Sequence, residues 1–115
     1  MPRAMKILSW NSQGLGNPWT GSSLHKLVKE QVPTVCFLIE TRLDTDGFNN
    51  LYGNLPFQNK IIVKHLDSGG GLAFLWRDDI KLKVVNYTTN HILAEVTEED
   101  GFVWFMTGFY GWLKA

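Results

Sequence analysis

Apolar runs and helical spacing predict the elements in the first part of the chain. Residues 5–10 are mostly apolar and predict a strand, and the loop over residues 11–21 holds three glycines and a proline. Ser22 or Ser23 then offers an N-cap for a helix whose apolar residues recur on one face. Pro33 ends this helix, because the residue before a proline is disfavoured in the helical conformation.

A second strand and a second, short helix follow. Residues 34–40 contain five consecutive apolar residues and end in an acid. A continuous apolar run of this length is typical of a strand that is buried on both faces. Residues 44–52 predict a short helix with Phe48, Leu51 and Tyr52 facing inward.

The rest of the chain reads as a meander of five strands. The predicted strands cover residues 59–66, 72–77, 81–87, 91–97 and 102–111. A glycine-rich turn separates the first two, and an Asp100-Gly101 pair is a hairpin signal before the last. Together with the strand–helix–strand start, this order predicts an α+β fold with a mainly antiparallel sheet and two short helices.

Composition narrows the class of protein. The chain has 115 residues, 44% of them hydrophobic, and a formal net charge of zero. These values fit one globular domain and exclude a disordered or membrane-spanning chain, while the charge balance gives no sign of a nucleic-acid partner. The single cysteine, Cys36, cannot form an internal disulfide and fits a reducing compartment. The first residues lack the apolar core of a signal peptide, so an intracellular protein is expected.

Three polar residues stand at strand ends and suggest chemistry. Asn11 follows the first predicted strand, Glu40 closes the second, and Tyr110 lies near the end of the last. If these strands are neighbours, a carboxylate and an amide oxygen could hold Mg²⁺ and a phenol could bind a phosphate oxygen. Each residue also has a simpler interpretation: Asn11 as a turn residue, Glu40 as a solvated strand end, Tyr110 as a core residue.

Five separated segments, in order, resemble the endonuclease/exonuclease/phosphatase superfamily. They read MKILSWNSQGLGNP, FLIETRL, SGGGLAFLW, NHILAEV and GFYGW, and they span residues 5–112. The nearest likeness is to the endonuclease domain of plant non-LTR (LINE-type) retrotransposons. The resemblance implies a partial DNase I-like, four-layer αββα sandwich, magnesium-dependent hydrolysis of DNA phosphodiesters, and action in the nucleus if the protein is expressed.

The resemblance also implies roles for individual residues. Asn11 matches an asparagine that positions metal and phosphate, and Glu40 matches the metal-binding glutamate. Tyr110 matches a tyrosine that contacts the scissile phosphate, so that Tyr110 and Asn11 are the implied catalytic residues. Arg42 lies where relatives carry a basic residue near the substrate, with a merely exposed arginine as the alternative. The implied ion is Mg²⁺, with Mn²⁺ as a substitute, bound weakly if at all.

Departures from the family pattern limit the expected activity. Relatives read Cys-Arg where this chain has Ser12-Gln13, and a proline where it has Leu113. The Gly-Asp-x-Asn and Asp-His motifs of the family's second half do not occur in the 115 residues. We therefore expect one incomplete domain over residues 1–115, the N-terminal half of the fold with its C-terminal half missing, in which residues 1–4 are a flexible extension. Such a chain is a truncated remnant without activity of its own; the alternative is a non-catalytic module that binds nucleic acid or protein.

Half of a sandwich leaves apolar surface uncovered. The inner face of one sheet is expected to lack its partner sheet, which predicts self-association or association with the missing segment. Self-association through an exposed sheet face and DNA as the partner of the parent enzyme are thus the two expected interactions.

Two further patterns have modest weight. Gly14 and Gly16, followed by Glu40, partly mimic a dinucleotide-binding fingerprint, but a meander lacks the βαβ units that this fingerprint requires. The three histidines are not spaced as a zinc site and are interpreted as structural or solvated.

Overall fold

Seven strands and two helices make up the described part of the chain. The computed structural model describes residues 5–64 and 70–109. In chain order the elements are β1 (Ile7–Asn11), α1 (Pro18–Gln31), β2 (Val35–Ile39), α2 (Thr45–Tyr52), β3 (Asn59–Val63), β4 (Leu72–Trp76), β5 (Lys81–Tyr87), β6 (His91–Thr97) and β7 (Val103–Phe109). The predicted α+β class, with antiparallel-rich sheets and two helices, is confirmed.

The strands form two sheets, as the resemblance to an αββα sandwich implied, so the predicted meander of five consecutive strands is wrong. The first sheet has the order β1-β2-β4-β3, in which β1 and β2 are parallel and the other pairs antiparallel. The second sheet is the antiparallel set β5-β6-β7. The strands β2 and β4 are apolar along their whole length and take the two central positions, where both faces are covered. The more polar strands β1 and β3 are left at the edges.

Two apolar cores hold three layers together. One core lies between the helices and the first sheet and includes Leu24, Phe48 and Leu38. The other lies between the two sheets, where Phe37 and Phe74 of the first sheet join the cluster that contains Ile92, Ala94 and Val84 of the second. The expectation that the inner sheet face lacks a partner sheet is therefore wrong. On the second sheet, Val103, Phe105 and Phe109 of β7 are exposed.

The first helix begins earlier than Ser22 or Ser23. Its N-cap is Asn17, whose side-chain oxygen accepts a hydrogen bond from the Trp19 N–H at 2.9 Å, and Pro18 occupies the first turn. Proline is well suited to this position because its fixed φ is helical and its missing N–H would have no intrahelical partner. The helix ends as predicted before Pro33, with Val32 in the left-handed conformation at φ 45°.

The second helix carries a tyrosine that links two segments. Asp44 caps it by accepting from the Gly47 N–H at 2.8 Å. Phe48 and Tyr52 are buried as predicted, but Leu51 is 51% exposed, because a helix of eight residues has only a narrow buried face. The Tyr52 hydroxyl donates to the Leu15 carbonyl in the loop before α1. Neither described helix is long and apolar enough to cross a membrane.

Candidate active site

The parallel pairing of β1 with β2 brings Asn11 and Glu40 to one edge of the first sheet. Asn11 is the last residue of β1 and lies opposite Ile39, the last residue of β2. Glu40 directly follows Ile39, so both polar residues stand at the carboxyl edge of two adjacent strands. This is the neighbour relationship that the sequence interpretation required for these two residues.

Backbone hydrogen bonds fix the segment after β2 from both sides. On the β1 side, the Gly14 N–H donates to the Glu40 carbonyl at 2.7 Å and the Leu15 N–H donates to the Thr41 carbonyl at 3.0 Å. On the β4 side, the Thr41 N–H donates to Gly71 at 3.2 Å and the Arg42 N–H donates to Gly70 at 2.8 Å. The sheet ladder is thus continued past the strand ends, and Glu40 sits in a rigid frame.

Ser12 adds a side-chain clamp to this frame. Its hydroxyl lies 2.9 Å from the Ile39 carbonyl and 3.1 Å from the Glu40 carbonyl, and it donates to this pair of acceptors. The Ser12 side chain is only 4% exposed, so the bond is shielded from water. Ser12 therefore holds the two strand ends together.

Two residues of the segment adopt a conformation that is costly for side chains other than glycine. Glu40 has φ 54° and Arg42 has φ 56°, both in the left-handed region. A residue in this region costs of order 1 kcal/mol or more and persists only where its surroundings impose it. The backbone hydrogen bonds to β1 and β4 on either side impose this conformation. Because of it, the backbone at Glu40 turns away from the path of a continuing strand.

Asn11 has a turn role that is visible in the structure. Its side-chain oxygen accepts from the Gln13 N–H at 3.2 Å, which closes an Asx turn at the end of β1. The side chain is exposed. An amide oxygen has two lone pairs and its nitrogen carries two protons, so the turn is compatible with a second contact to a metal or a phosphate.

Thr41 lies buried between Glu40 and Arg42. Its side chain is 0% exposed, and its Oγ1 has no hydrogen-bond partner among the described residues. A Cβ at Gly71 would stand 2.8 Å from this oxygen, and Gly71 has φ 95°. Only glycine fits there, for both reasons. Gly70 and Gly71 both have positive φ, and their carbonyls accept from the Arg42 and Thr41 N–H groups. Gly69 lies outside the described residues, and the turn stays a prediction.

Of the two remaining predicted site residues, Arg42 lies within the described part of the chain and Tyr110 does not. The Arg42 side chain is exposed and lies over Gly14, with Cδ 3.4 Å from the place where a Cβ would stand. It is thus at the same edge as Asn11 and Glu40. Tyr110 lies outside the described residues. The strand that precedes it, β7, belongs to the second sheet, so the strands that lead to Asn11, Glu40 and Tyr110 are not neighbours in one sheet, and the role of Tyr110 stays a prediction.

The edge that carries Asn11 and Glu40 offers oxygen ligands of the type that a hard cation takes, but only a few of them. Glu40 offers a carboxylate and Asn11 an amide oxygen, the ligand types that Mg²⁺ takes together with several waters. No group of three or more His, Cys, Asp or Glu residues in the described part of the chain is arranged to hold a metal. Glu40 and Asn11 therefore offer two oxygen ligands of the type that Mg²⁺ takes.

The glycine loop after β1 and the side chain of His91 both make contacts within the protein. β1, α1 and β2 do form one parallel βαβ unit, which the sequence interpretation did not expect. The Gly14 and Leu15 N–H groups, however, bind Glu40 and Thr41 carbonyls rather than pointing to a phosphate. Both ring nitrogens of His91 lie 2.8 Å from side-chain oxygens, those of Thr88 and Asn86, so His91 braces the turn between β5 and β6.

Cys36 is no candidate for a nucleophile. It is fully buried in β2, and burial raises the pKa of its thiol from 9.0 to about 12. A thiol of this kind stays protonated and inert at neutral pH.

Sequence reasoning missed the residues that position the site. The Ser12 hydroxyl donates to the Glu40 carbonyl, and the Gly71 carbonyl accepts from the N–H of Thr41, the residue after Glu40. The signal for Ser12 was its place directly after Asn11, where a small hydroxyl can reach the neighbouring strand end. Nothing in the local pattern distinguishes Thr41 from an ordinary loop threonine.

Comparison with solved structures identifies the fold. The catalytic domain of human Nocturnin, solved with a bound sulfate anion, matches with a TM-score of 0.64 and 17% identity, over 92% of this chain and 48% of that one. The 3′ phosphatase NExo from Neisseria, bound to a product DNA hairpin, matches with a TM-score of 0.55 and 22% identity, over 83% of this chain and 39% of that one. Humanised D. rerio TDP2 matches with a TM-score of 0.53 and 18% identity, over 90% of this chain and 45% of that one.

These likenesses show a partial DNase I-like fold, as the sequence predicted. The matched proteins are DNase I-like enzymes of the endonuclease/exonuclease/phosphatase type. The chain spans about half of the length of these structures or less. No protein-family model matches the sequence, and no curated protein matches it.

Proposed function

We propose that this chain carries the metal-binding half of a magnesium-dependent DNA phosphodiesterase, and that its 115 residues do not hydrolyse DNA on their own. The observation that carries the proposal is the position of Glu40 beside Asn11, at the carboxyl edge of two parallel strands in a DNase I-like fold. The rigid frame around Glu40 supports it, because metal ligands need a fixed geometry.

In this proposal each residue has a definite task. A bound Mg²⁺ would polarise the phosphodiester and offset its developing negative charge. The Glu40 carboxylate would hold the ion, with the Asn11 oxygen as a second ligand. The Asn11 amide nitrogen and the Arg42 guanidinium would donate hydrogen bonds to phosphate oxygens, and Arg42 can do so with two parallel N–H groups. Tyr110 is proposed as a further phosphate contact.

The proposed lack of independent activity rests on the motifs that supply acid–base groups in related enzymes. Hydrolysis requires a group that activates water and one that protonates the leaving oxygen. His91 is engaged by Thr88 and Asn86, and Cys36 is buried and protonated at neutral pH. The Gly-Asp-x-Asn and Asp-His motifs that serve related enzymes are not in this sequence.

Origin, partner and location are part of the proposal. The five sequence motifs support a plant LINE-type retrotransposon endonuclease as the parent, and nuclear action would follow from that origin. DNA is the proposed partner, in keeping with the DNA hairpin bound by NExo. Self-association through the exposed sheet face is also proposed.

A non-catalytic binding module is the second candidate. The observation in its favour is Trp19, which is 84% exposed in the first turn of α1. An exposed indole can stack on an unpaired base or pack on a protein surface. DNA retention that depends on Trp19 and is unaffected by Mg²⁺ or by Glu40→Gln would favour this candidate over the first.

Manganese titration followed by NMR tests the metal site without requiring activity. Mn²⁺ should broaden the amide signals of residues 11–14 and 39–42 first, and Glu40→Gln should remove this selectivity. Glu30→Gln, a change of the same kind on the exposed side of α1, should leave it unchanged. Uniform broadening in the unmodified protein would contradict the site.

Plasmid nicking tests the lack of activity separately. The 115-residue protein is expected to leave supercoiled plasmid intact with Mg²⁺. Nicking that disappears in Glu40→Gln would show that the chain is an active enzyme and would overturn that half of the proposal.

A further inference from the structure

The strand β7 is an edge strand with an uncovered apolar side. It pairs with β6 on one side only, and in the described residues no strand pairs with its other side. Its outward row contains Val103, Phe105 and Phe109, which are 44%, 57% and 58% exposed. Residues 102–109 contain no charged side chain and no proline. A long, uncharged, aromatic edge of this kind is a template for a further strand.

The other sheet edges carry the protection that β7 lacks. The opposite edge of the same sheet, β5, has Lys81 and Lys83 and a β-bulge at Val85. The edges of the first sheet, β1 and β3, are only five residues long, and β3 includes Lys60. Lysines, bulges and short length are the usual means by which an edge resists pairing with another chain. The contrast singles out β7.

We propose that β7 pairs antiparallel with β7 of a second copy of this chain, with the two-fold axis at Met106. This goes beyond the proposed general association by naming the strand and the register, and it is independent of the catalytic proposal. The two three-stranded sheets then become one sheet of six strands. In this register Val103 of each copy faces Phe109 of the other, and Phe105 faces Thr107.

The sequence of β7 is complementary to itself in this register. Residues of the outward row meet only residues of the outward row, and Trp104, Met106 and Gly108 meet one another on the inward side. All seven residues of the strand find a partner. Since β7 has no charge and the chain has a formal net charge of zero, with an isoelectric point near 6.8, no electrostatic repulsion opposes the dimer at neutral pH.

A second copy is the favoured occupant among the alternatives. Among the described strands, none pairs with the free side of β7. Solved structures of this fold are about twice as long, and a further segment of such a fold is the competing occupant. A second copy covers the whole length of β7 by symmetry, because its own β7 is complementary in this register.

Sedimentation velocity over a range of protein concentrations at pH 7 tests the dimer. The unmodified protein should pass from monomer to dimer as concentration rises. Phe105→Lys should raise the dissociation constant about a hundredfold, because two rings leave each interface and two ammonium groups enter it. Val85→Lys makes the same change at an exposed position of the β5 edge and should leave the dimer unchanged.

A second lysine variant and a cysteine cross-link test the same register of β7. If Phe105→Lys fails to fold by circular dichroism, Thr107→Lys alters an exposed neighbour on the same row. Mixed Phe105→Cys and Thr107→Cys proteins should form a disulfide-linked dimer on mild oxidation, whereas either variant alone should not. Buried Cys36 does not compete.

Three outcomes would overturn the proposal. These are a protein that stays monomeric at every concentration, a dimer that survives both lysine substitutions, and a dimer that Val85→Lys weakens as much as Phe105→Lys does. A monomer that captures an added polypeptide on β7 would assign this edge to that other occupant.

Discussion

The ring of Phe37 occupies the space where a side chain at position 108 would stand. A Cβ built on Gly108 lies 2.7 Å from Cε1 of Phe37 and 2.8 Å from two further ring carbons. Phe37 belongs to β2 in the first sheet and Gly108 to β7 in the second. The absence of a side chain at residue 108 is therefore what lets the two sheets approach each other at this point.

Gly108→Ala should destabilise the protein through this contact. Phe37 is only 4% exposed and cannot move away freely, so we expect a loss of about 1–3 kcal/mol in the free energy of unfolding. Urea denaturation measures the loss. Gly16→Ala is the matched control, because nothing lies within 4 Å of a Cβ at Gly16. Equal effects of the two substitutions would contradict the contact.

Gly21 and Tyr52 should show strong energetic coupling. A Cβ at Gly21 would lie 2.6 Å from the Tyr52 hydroxyl oxygen but 3.5 Å from the nearest ring carbons. Gly21→Ala should therefore destabilise the unmodified protein. In a Tyr52→Phe background the clash is gone, and the same change should be neutral or stabilise by about 0.5–1 kcal/mol, because alanine favours a helix interior.

A double-mutant cycle in urea measures this coupling. Tyr52→Phe alone should cost about 1–2 kcal/mol, since it leaves the Leu15 carbonyl without its buried donor. Additive effects of the two substitutions would show that the hydroxyl and Gly21 do not contact each other.

Alkaline pH should destabilise the protein through Cys36. Burial raises the pKa of its thiol from 9.0 to about 12, so the folded state keeps a proton that the unfolded state releases. The contribution of the protonated thiol to the free energy of unfolding is complete below pH 9. As pH rises from 9 toward 12, the free energy of unfolding falls by about 1.4 kcal/mol per pH unit. Burial also raises the pKa of Tyr52, which acts in the same direction.

Cys36→Val separates the two groups. It removes the thiol and keeps an apolar side chain, so the fall in stability between pH 8 and pH 10.5 should be smaller by about 2 kcal/mol than in the unmodified protein. Urea midpoints at the two pH values give the comparison. Parallel pH dependences of the two proteins would mean that the thiol does not contribute.

Backbone strain at Glu40 should be measurable as stability. Glu40→Gly and Glu40→Ala both remove the side chain, but only glycine adopts φ near 54° at little cost. We expect the glycine variant to be more stable than the alanine variant by about 1 kcal/mol. Thermal unfolding under identical conditions decides this, and an alanine variant of equal stability would place the strain elsewhere.

Several elements could be predicted from local pattern alone. The strands over residues 81–87 and 91–97 have the predicted bounds, because alternation and a hairpin turn are local properties. The buried strand β2, which is followed by an acid, could also be predicted from its continuous apolar run. The start of α1 was not predicted correctly: Asn17 and Pro18 were assigned to the loop before a cap at Ser22 or Ser23, although that pair carries the cap and the first turn.

The sequence by itself determined the class of the fold, the burial of β2 and the candidacy of Asn11 and Glu40. The tertiary structure decided that β4 lies between β2 and β3, that β5, β6 and β7 form a separate sheet, and that Ser12 and Gly71 confine the segment of Glu40. Strand order and clamping depend on backbone hydrogen bonds between distant segments. Every residue except proline has the same backbone donor and acceptor, so these bonds leave no mark in the local pattern.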